Sequence, residues 1–410
     1  MNTMRKYTFL LLLLLTLPAM AASVIRQAKE SIKKKQNLEQ VAKNLLAEAE
    51  KPETKRKDRI VCYQLAAECS QKLYEAENLK LYLKQKYDTV KFFSSILDMF
   101  VRLEKSDSIG ALPDDKGRVK PVNRRHNYDI LKPFRANLLN GGRWHFRKVQ
   151  MAQAFPFLDT YVNMASHPIF AADSLLKTDT LIRPTAYLAA VAAHLSGNSD
   201  GVIRHAALAK EANQKSHLIQ EYLARAYFAK GDTTAWLQAL NDGIHEFPLH
   251  PFFFTNLIDY DITNVRYDHA LALADSMTHV ADSVALFWYA KSLAYSKLGK
   301  DRETIDACDS CLARDPNYVD AYYNKGIASL NLAVIYAENA CTDLNNPQSR
   351  RDLEIIRSLY LLAKQPMEQV RKLAPDDKAR WAGPLYRIYL NLNMGNEFDE
   401  MDRILKELQK

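Results

Sequence analysis

Glycine is scarce, at 12 of 410 residues, and with only 15 prolines the chain cannot be loop-rich or collagen-like. Five cysteines, an odd number, argue against a disulfide framework. Beyond residue 17 no apolar run approaches the roughly 20 residues that a membrane-crossing helix needs. Neither a G-x-x-x-x-G-K-[ST] nor a G-x-G-x-x-G phosphate loop occurs, and no residues are spaced as a zinc site. Two apparent motifs fail on context. Gly197-Asn198-Ser199-Asp200-Gly201 matches G-x-S-x-G, but an alanine-rich helical stretch stands where a nucleophile elbow requires a strand. His245-Glu246 followed by His250 imitates a zincin. Pro248 lies between the histidines, and their spacing of five keeps them off a common helix face. No cofactor, metal or catalytic group is expected.

What is present is period. Residues 183–318 divide into four blocks of 34, starting at Arg183, His217, Pro251 and Ala285, without insertion or deletion. Position 15 is Gly197, Gly231 and Gly299, where a left-handed turn between two helices is cheapest for glycine. Position 32 is Pro248 and Pro316, which end the second helix. Position 4 carries Phe254, Trp288 and Tyr322, expected in the packed core. In the first block the helix-contact positions are Ala186, Ala189, Ala190, Ala193, Ala206 and Ala209. The second answers with Leu223, Tyr227, Trp236 and Leu240. Small residues let helices approach to roughly 8–10 Å, and neighbouring repeats then supply the bulk. A period of 34 with these signatures resembles the tetratricopeptide-repeat family. The resemblance implies an all-α, right-handed superhelical solenoid. Asp261, Lys291 and Lys325 replace large apolar residues in this pattern, so those joints are expected to be looser.

The register extends outward with insertions. Gly142, Ala154 and Tyr161 place a repeat at 135–168. The repeat at Val319 is resumed with Ala363 at position 20, after a loop at 342–352. A last pair, 381–392 and 397–408, is joined at Gly395, with 396–410 as a capping helix. The expected organisation is a signal peptide over 1–21, irregular helical repeats over 22–104, a basic, proline-containing connector over 105–126 as a hinge, and the superhelix over 127–410. Within the second part, Lys80 to Thr89 resembles a segment of secreted bacterial tetratricopeptide proteins of unassigned role. Cys308 and Cys311 fall at positions 24 and 27, inward places for small residues. A packing role and a bridged C-x-x-C both remain open there.

In the family, positions 2, 5, 9, 12 and 13 of the first helix line the concave groove. Carried over, they give Tyr187, Val191 and His194, then Glu221, Arg225 and Phe228. The third block gives Thr255, Asp259 and Ile262, and the fourth Tyr289, Leu293 and Lys297. The next repeat adds Asp320, Tyr323, Ile327 and Leu330. Aromatic and aliphatic side chains with few fixed charges suit a peptide or protein partner. The expected function is therefore an exported, non-catalytic interaction scaffold, and the alternative is an envelope protein capturing a glycan or nutrient. A second surface is the run from Lys116 to Lys148, whose basic residues include Arg124, Arg125, Arg143, Arg147 and Lys148 against one acid, Asp129. It fits an anionic glycan or membrane surface, or an ordinary solvated face, better than nucleic acid.

Arg5 and Lys6, the apolar run Phe9 to Leu17, Pro18 and Ala19-Met20-Ala21 have the form of a secretory signal peptide. A periplasmic or secreted location is expected, and Ala22 after the cleavage site offers no lipidation cysteine. Cleavage after Ala21 is predicted. N-terminal sequencing of exported protein should begin at Ala22, and a membrane-retained chain beginning at Met1 would contradict it.

Overall fold

The computed structural model describes residues 21–113, 116–119, 121–212, 216–343 and 345–409. The apolar run and most of the expected cleavage motif lie outside the described residues. Among the described residues every regular element is a helix. Contacts divide the chain into two units, Met1–Ala239 and Leu240–Lys410.

The first unit opens with a helix over 21–34 (α1), then Leu38–Glu50 (α2), Arg56–Tyr82 (α3) and Thr89–Gly110 (α4). Arg124–Leu131 (α5), Arg135–Arg147 (α6), Met151–Asn163 (α7) and the single turn Leu175–Thr178 (α8) follow. Ile182–Leu195 (α9), Ser199–Lys210 (α10) and Ser216–Ala229 (α11) complete it, with the start of Thr233–Glu246 (α12). The second unit contains Pro251–Thr263 (α13), Tyr267–Val280 (α14), Ala285–Lys297 (α15) and Asp301–Arg314 (α16). Its last four helices are Val319–Glu338 (α17), Pro347–Leu373 (α18), Lys378–Asn391 (α19) and Gly395–Leu408 (α20). Each helix packs chiefly on its sequence neighbours, α3 on α4, α9 on α10, α15 on α16 and α17 on α18.

The 34-residue register is visible in burial. Position 3 is buried in all five copies, at Thr185, Ile219, Phe253, Phe287 and Ala321. Position 8 is buried in all five as well, at Ala190, Ala224, Ile258, Ser292 and Gly326. On the second helices, positions 20, 24 and 27 are buried without exception from α10 to α16. The lengthened fifth repeat keeps the rule, since Ala363, Met367 and Val370 are all fully buried. Small residues sit where helices meet most closely. A Cβ on Gly142 would stand 2.7 Å from Leu158, one on Gly326 2.7 Å from Met367, and one on Gly243 2.3 Å from the Phe253 ring. Such distances exclude any side chain unless a neighbour moves.

Several elements depart from the sequence reading. Helix α4 continues through Gly110, into the stretch expected to lack helix. Its exit is tied by Arg56, whose guanidinium donates to the carbonyls of Ile109 at 3.0 Å, Gly110 at 2.8 Å and Pro113 at 2.9 Å. Those bonds satisfy carbonyls that a helix end leaves without partners. Trp288 is half-buried. The fully packed aromatic is its neighbour Phe287, at 2% exposure in one cluster with Phe254, Ile258 and Ala290. The joints expected to be loose are closed by charge. Lys291 pairs with Asp275 and Lys325 with Asp309, each at 2.5 Å, a position-7 lysine meeting a position-25 aspartate of the preceding repeat both times. Asp261 is buried and held by His269 at 2.5 Å and Arg266 at 3.4 Å.

The inter-helix turn is left-handed wherever the repeat is regular. Gly197, Gly231 and Gly299 have φ of 73°, 72° and 70°. Two copies place a β-branched residue at that position, Val149 with φ 60° and Val265 with φ 59°. The last pair turns at Asn393, φ 55°, and not at Gly395, which is the first residue of α20. Val265 is 69% exposed, so little burial is lost on removing its side chain. Its left-handed backbone costs on the order of 1–2 kcal/mol, against roughly 0.5–1 kcal/mol of added chain entropy for glycine. Val265→Gly is therefore expected to stabilise the protein by up to about 1 kcal/mol. Thermal or urea melts showing a lower midpoint for this variant would contradict the strain.

Candidate partner-binding face

The face opposite the closed positions stays open in every copy. Position 5 is half-buried five times, at Tyr187, Glu221, Thr255, Tyr289 and Tyr323. Position 9, at Val191, Arg225, Asp259, Leu293 and Ile327, is never buried. Position 13 is exposed five times, Lys297 among them. His194, Phe228 and Ile262 at position 12 are accessible, and so is Asp320 at position 2. Leu330, expected on this face, is instead buried at 4% in a core cluster with Ala333 and Trp381, because α17 runs on to Glu338 and packs along α18.

Within the first unit the face is aromatic and ion-paired. His194 stacks on Tyr222 with ring centroids 3.8 Å apart and planes 10° from parallel. Burial and the nearby Arg225 charge hold the imidazole below its usual range, which favours the neutral ring. Arg225 in turn pairs with Glu221 at 2.8 Å. Phe228 is 67% exposed and lies 5.2 Å from the Trp236 ring.

Within the second unit the same positions converge. Tyr289 sits 5.0 Å from Tyr318, ring to ring, and burial pushes its phenol up to about 12. Asp320 pairs with Arg380 at 2.5 Å, and the Arg380 guanidinium lies 4.4 Å above the Tyr323 ring. Asp259 is open to water, yet burial raises its carboxyl above the ordinary range. The Arg380 contacts join α19 to α17 on this face, and the Tyr289–Tyr318 ring contact joins α15 to the residue just before α17. Arg380 was not legible as a site residue. It belongs to α19, beyond the regular blocks, and only packing brings it over Tyr323.

Part of the basic run is ion-paired in space. Arg124 donates to the buried carboxylate of Asp107 at 2.9 Å and 3.1 Å, which makes it a structural residue. Lys132 meets Asp173 at 3.5 Å and Arg135 meets Asp179 at 2.6 Å, all acids from outside the run. Arg125 is exposed but pairs with Asp129 at 3.1 Å. Arg143 is half-buried, and the exposed Arg147 donates to its carbonyl at 3.3 Å. Lys148 lies 4.1 Å over Trp144.

The remaining chemistry-bearing residues are built into packing. Ser199 is the first residue of α10, half-buried, in a turn where the Asn198 side chain accepts from the Gly201 N–H at 2.9 Å. Cys308 and Cys311 are buried free thiols, pushed up by burial to about 11 and about 12. They are protonated and unreactive at neutral pH. Glu104 carries one carboxylate oxygen that is buried without a hydrogen-bond partner. Burial, with a smaller effect of Asp159, pushes it up to about 8. Among the described residues no cluster of His, Cys, Asp or Glu is arranged to hold a metal, and no helix is long and apolar enough to cross a membrane.

First helices that begin at Ile182, Ser216, Pro251, Ala285 and Val319, spaced by 34 or 35 residues, with left-handed turns and buried positions 8, 20, 24 and 27, decide the architecture. It is a tetratricopeptide-repeat fold. No family model matches the chain, and no curated protein does. Several solved tetratricopeptide proteins are similar to it. The C-terminal part of a TPR repeat-containing protein from Cytophaga hutchinsonii is 11% identical, over 65% of this chain and 93% of that one, with a TM-score of 0.42. A tetratricopeptide repeat protein from Parabacteroides merdae is 16% identical over 67% and 99%, with a TM-score of 0.34. A TPR repeats protein from Bacteroides fragilis is 13% identical over 63% and 96%, with a TM-score of 0.31.

Proposed function

We propose that the protein is an exported, non-catalytic interaction module that binds a segment of a partner protein on the open face of its first helices. The observation that carries this reading is the grouping of Tyr289, Tyr323, Asp320 and Arg380 in the second unit, with Asp259 exposed at position 9 of α13. Two tyrosines supply large, rigid contact area, and a half-buried arginine beside them is a residue type enriched at interface hot spots. The arginine and the two carboxylates can meet a peptide's backbone and side-chain polar groups, which suits a peptide in a groove rather than a free ion. Export is the reading of the amino-terminal segment.

Glycan or nutrient capture is less well supported. Sugars stack on open aromatic faces, and here Arg314 covers Trp288 at 4.6 Å while Lys148 covers Trp144 at 4.1 Å. A photo-crosslinking residue placed at Asp259, Tyr289 or Tyr323 should give one and the same protein adduct in cells. Placed at Arg302 or Asp306, exposed on α16, it should give none. Arg380→Glu should then weaken binding of the captured partner by on the order of 2 kcal/mol with little change in melting temperature. Adducts from the α16 positions alone, or unchanged affinity, would remove the face from the interaction.

A further inference from the structure

The hairpin between α3 and α4 carries an apolar tip ringed by lysine, and we propose that it docks on an anionic lipid surface. Leu79, Leu81, Tyr82 and Leu83 are 58%, 42%, 82% and 52% exposed, and Val90 across the turn is 53% exposed. Five large apolar side chains within twelve residues, all facing water, are far from the scattered single exposures of an ordinary surface.

The tip is held rigidly. Glu77, buried at 4%, accepts from the Asp88 N–H at 2.9 Å and from Lys80 at 2.8 Å. Asp88 caps α4 by accepting from the Lys91 N–H at 3.0 Å. Tyr87 anchors the loop in the core, its ring 5.8 Å from Phe92. The loop cannot fold its leucines inward, so their exposure is built in.

Charge selects the occupant. Residues 79–91 hold Lys80, Lys84, Lys86 and Lys91 against a single acid, Asp88, while Lys80 pairs with Glu77 and Lys91 with Glu39 from outside the run. Lys84 and Lys86 are exposed beside the leucines. The adjoining cleft, about 920 Å³ and lined by Leu79 and Tyr82, adds Lys35, Lys43 and Lys72 along with the acids Glu39 and Glu75. Aliphatic and tyrosine side chains that enter the acyl–headgroup boundary, with lysines reaching phosphate at its rim, are the chemistry of an interfacial anchor. An apolar protein groove would accept the leucines but gives no reason for the lysines around them.

The test uses full-length protein with vesicles of phosphatidylglycerol and phosphatidylcholine, against vesicles of phosphatidylcholine alone. Binding should be at least tenfold stronger to the anionic vesicles and fall as salt is raised. Lys84→Glu with Lys86→Glu should remove that preference, and Tyr82→Ser with Leu83→Ser should weaken binding to the anionic vesicles by tenfold or more. Each exposed substitution should leave the melting temperature unchanged. A Tyr82→Trp variant should be quenched, beyond the quenching of the four native tryptophans measured on the unsubstituted protein, by lipids carrying a quencher near the headgroup, which reads the tip itself and not the apolar amino-terminal run. Vesicle binding that ignores all tip substitutions, or a Tyr82→Trp variant quenched no more than the unsubstituted protein, would overturn the proposal. So would a dimer that the Tyr82→Ser, Leu83→Ser variant dissociates, since the tip would then be a contact between copies.

Discussion

The structure rests on the near-absence of side chain at the points where paired helices touch. Gly142 against Leu158, Gly326 against Met367 and Ala190 at position 8 of α9 let backbones approach until the neighbouring residues close the gap. Everything else follows from that closeness. A helix fixed at positions 3 and 8 has only one remaining direction in which to present side chains, and positions 5, 9 and 13 take it in every copy. Open face and core are thus two readings of one rotation about the helix axis. Neither can shift without the other.

Polar groups fill the places where the apolar pattern lapses. A leucine at position 7 would pack by shape. Lysine at 291 and 325 instead spans to an aspartate one repeat back, its stem covering apolar surface while the ammonium is paired at 2.5 Å. Both pairs are half open to water, so each is worth little energetically. Their value is positional, since a lysine that must reach one aspartate fixes the stagger of adjacent repeats. Asp261, buried between His269 and Arg266, plays the corresponding part inside a single helix pair.

Much of this was legible in sequence because close packing is written in residue size. Small residues at 186, 190, 206 and 209, and Ala363 after a 25-residue insertion, mark buried positions whatever surrounds them. What escaped was set by geometry that spacing does not encode. Glycine identifies a left-handed turn, but Val149 and Val265 occupy the same turn under strain imposed by the helices on either side. Spacing gave no sign that folding would lay Asp107, Asp173 and Asp179 against Arg124, Lys132 and Arg135 of the basic run. Arg380 became part of the face only through the packing of α19 on its neighbours, and Trp288 gave up the core place to Phe287.

An aspartate scan along α15, read by melting temperature, tests the rotation of that helix most directly. Aspartate at Phe287, Ala290, Ser292 and Ala294, all buried, should lower the melting temperature steeply, because each places a charge in the packed joint. At Leu293 and Lys297 it should change little, and at Tyr289 less than at Phe287. A uniform loss along the helix, or a maximum at 289 and 293, would show that the open face is core and that the binding surface lies elsewhere.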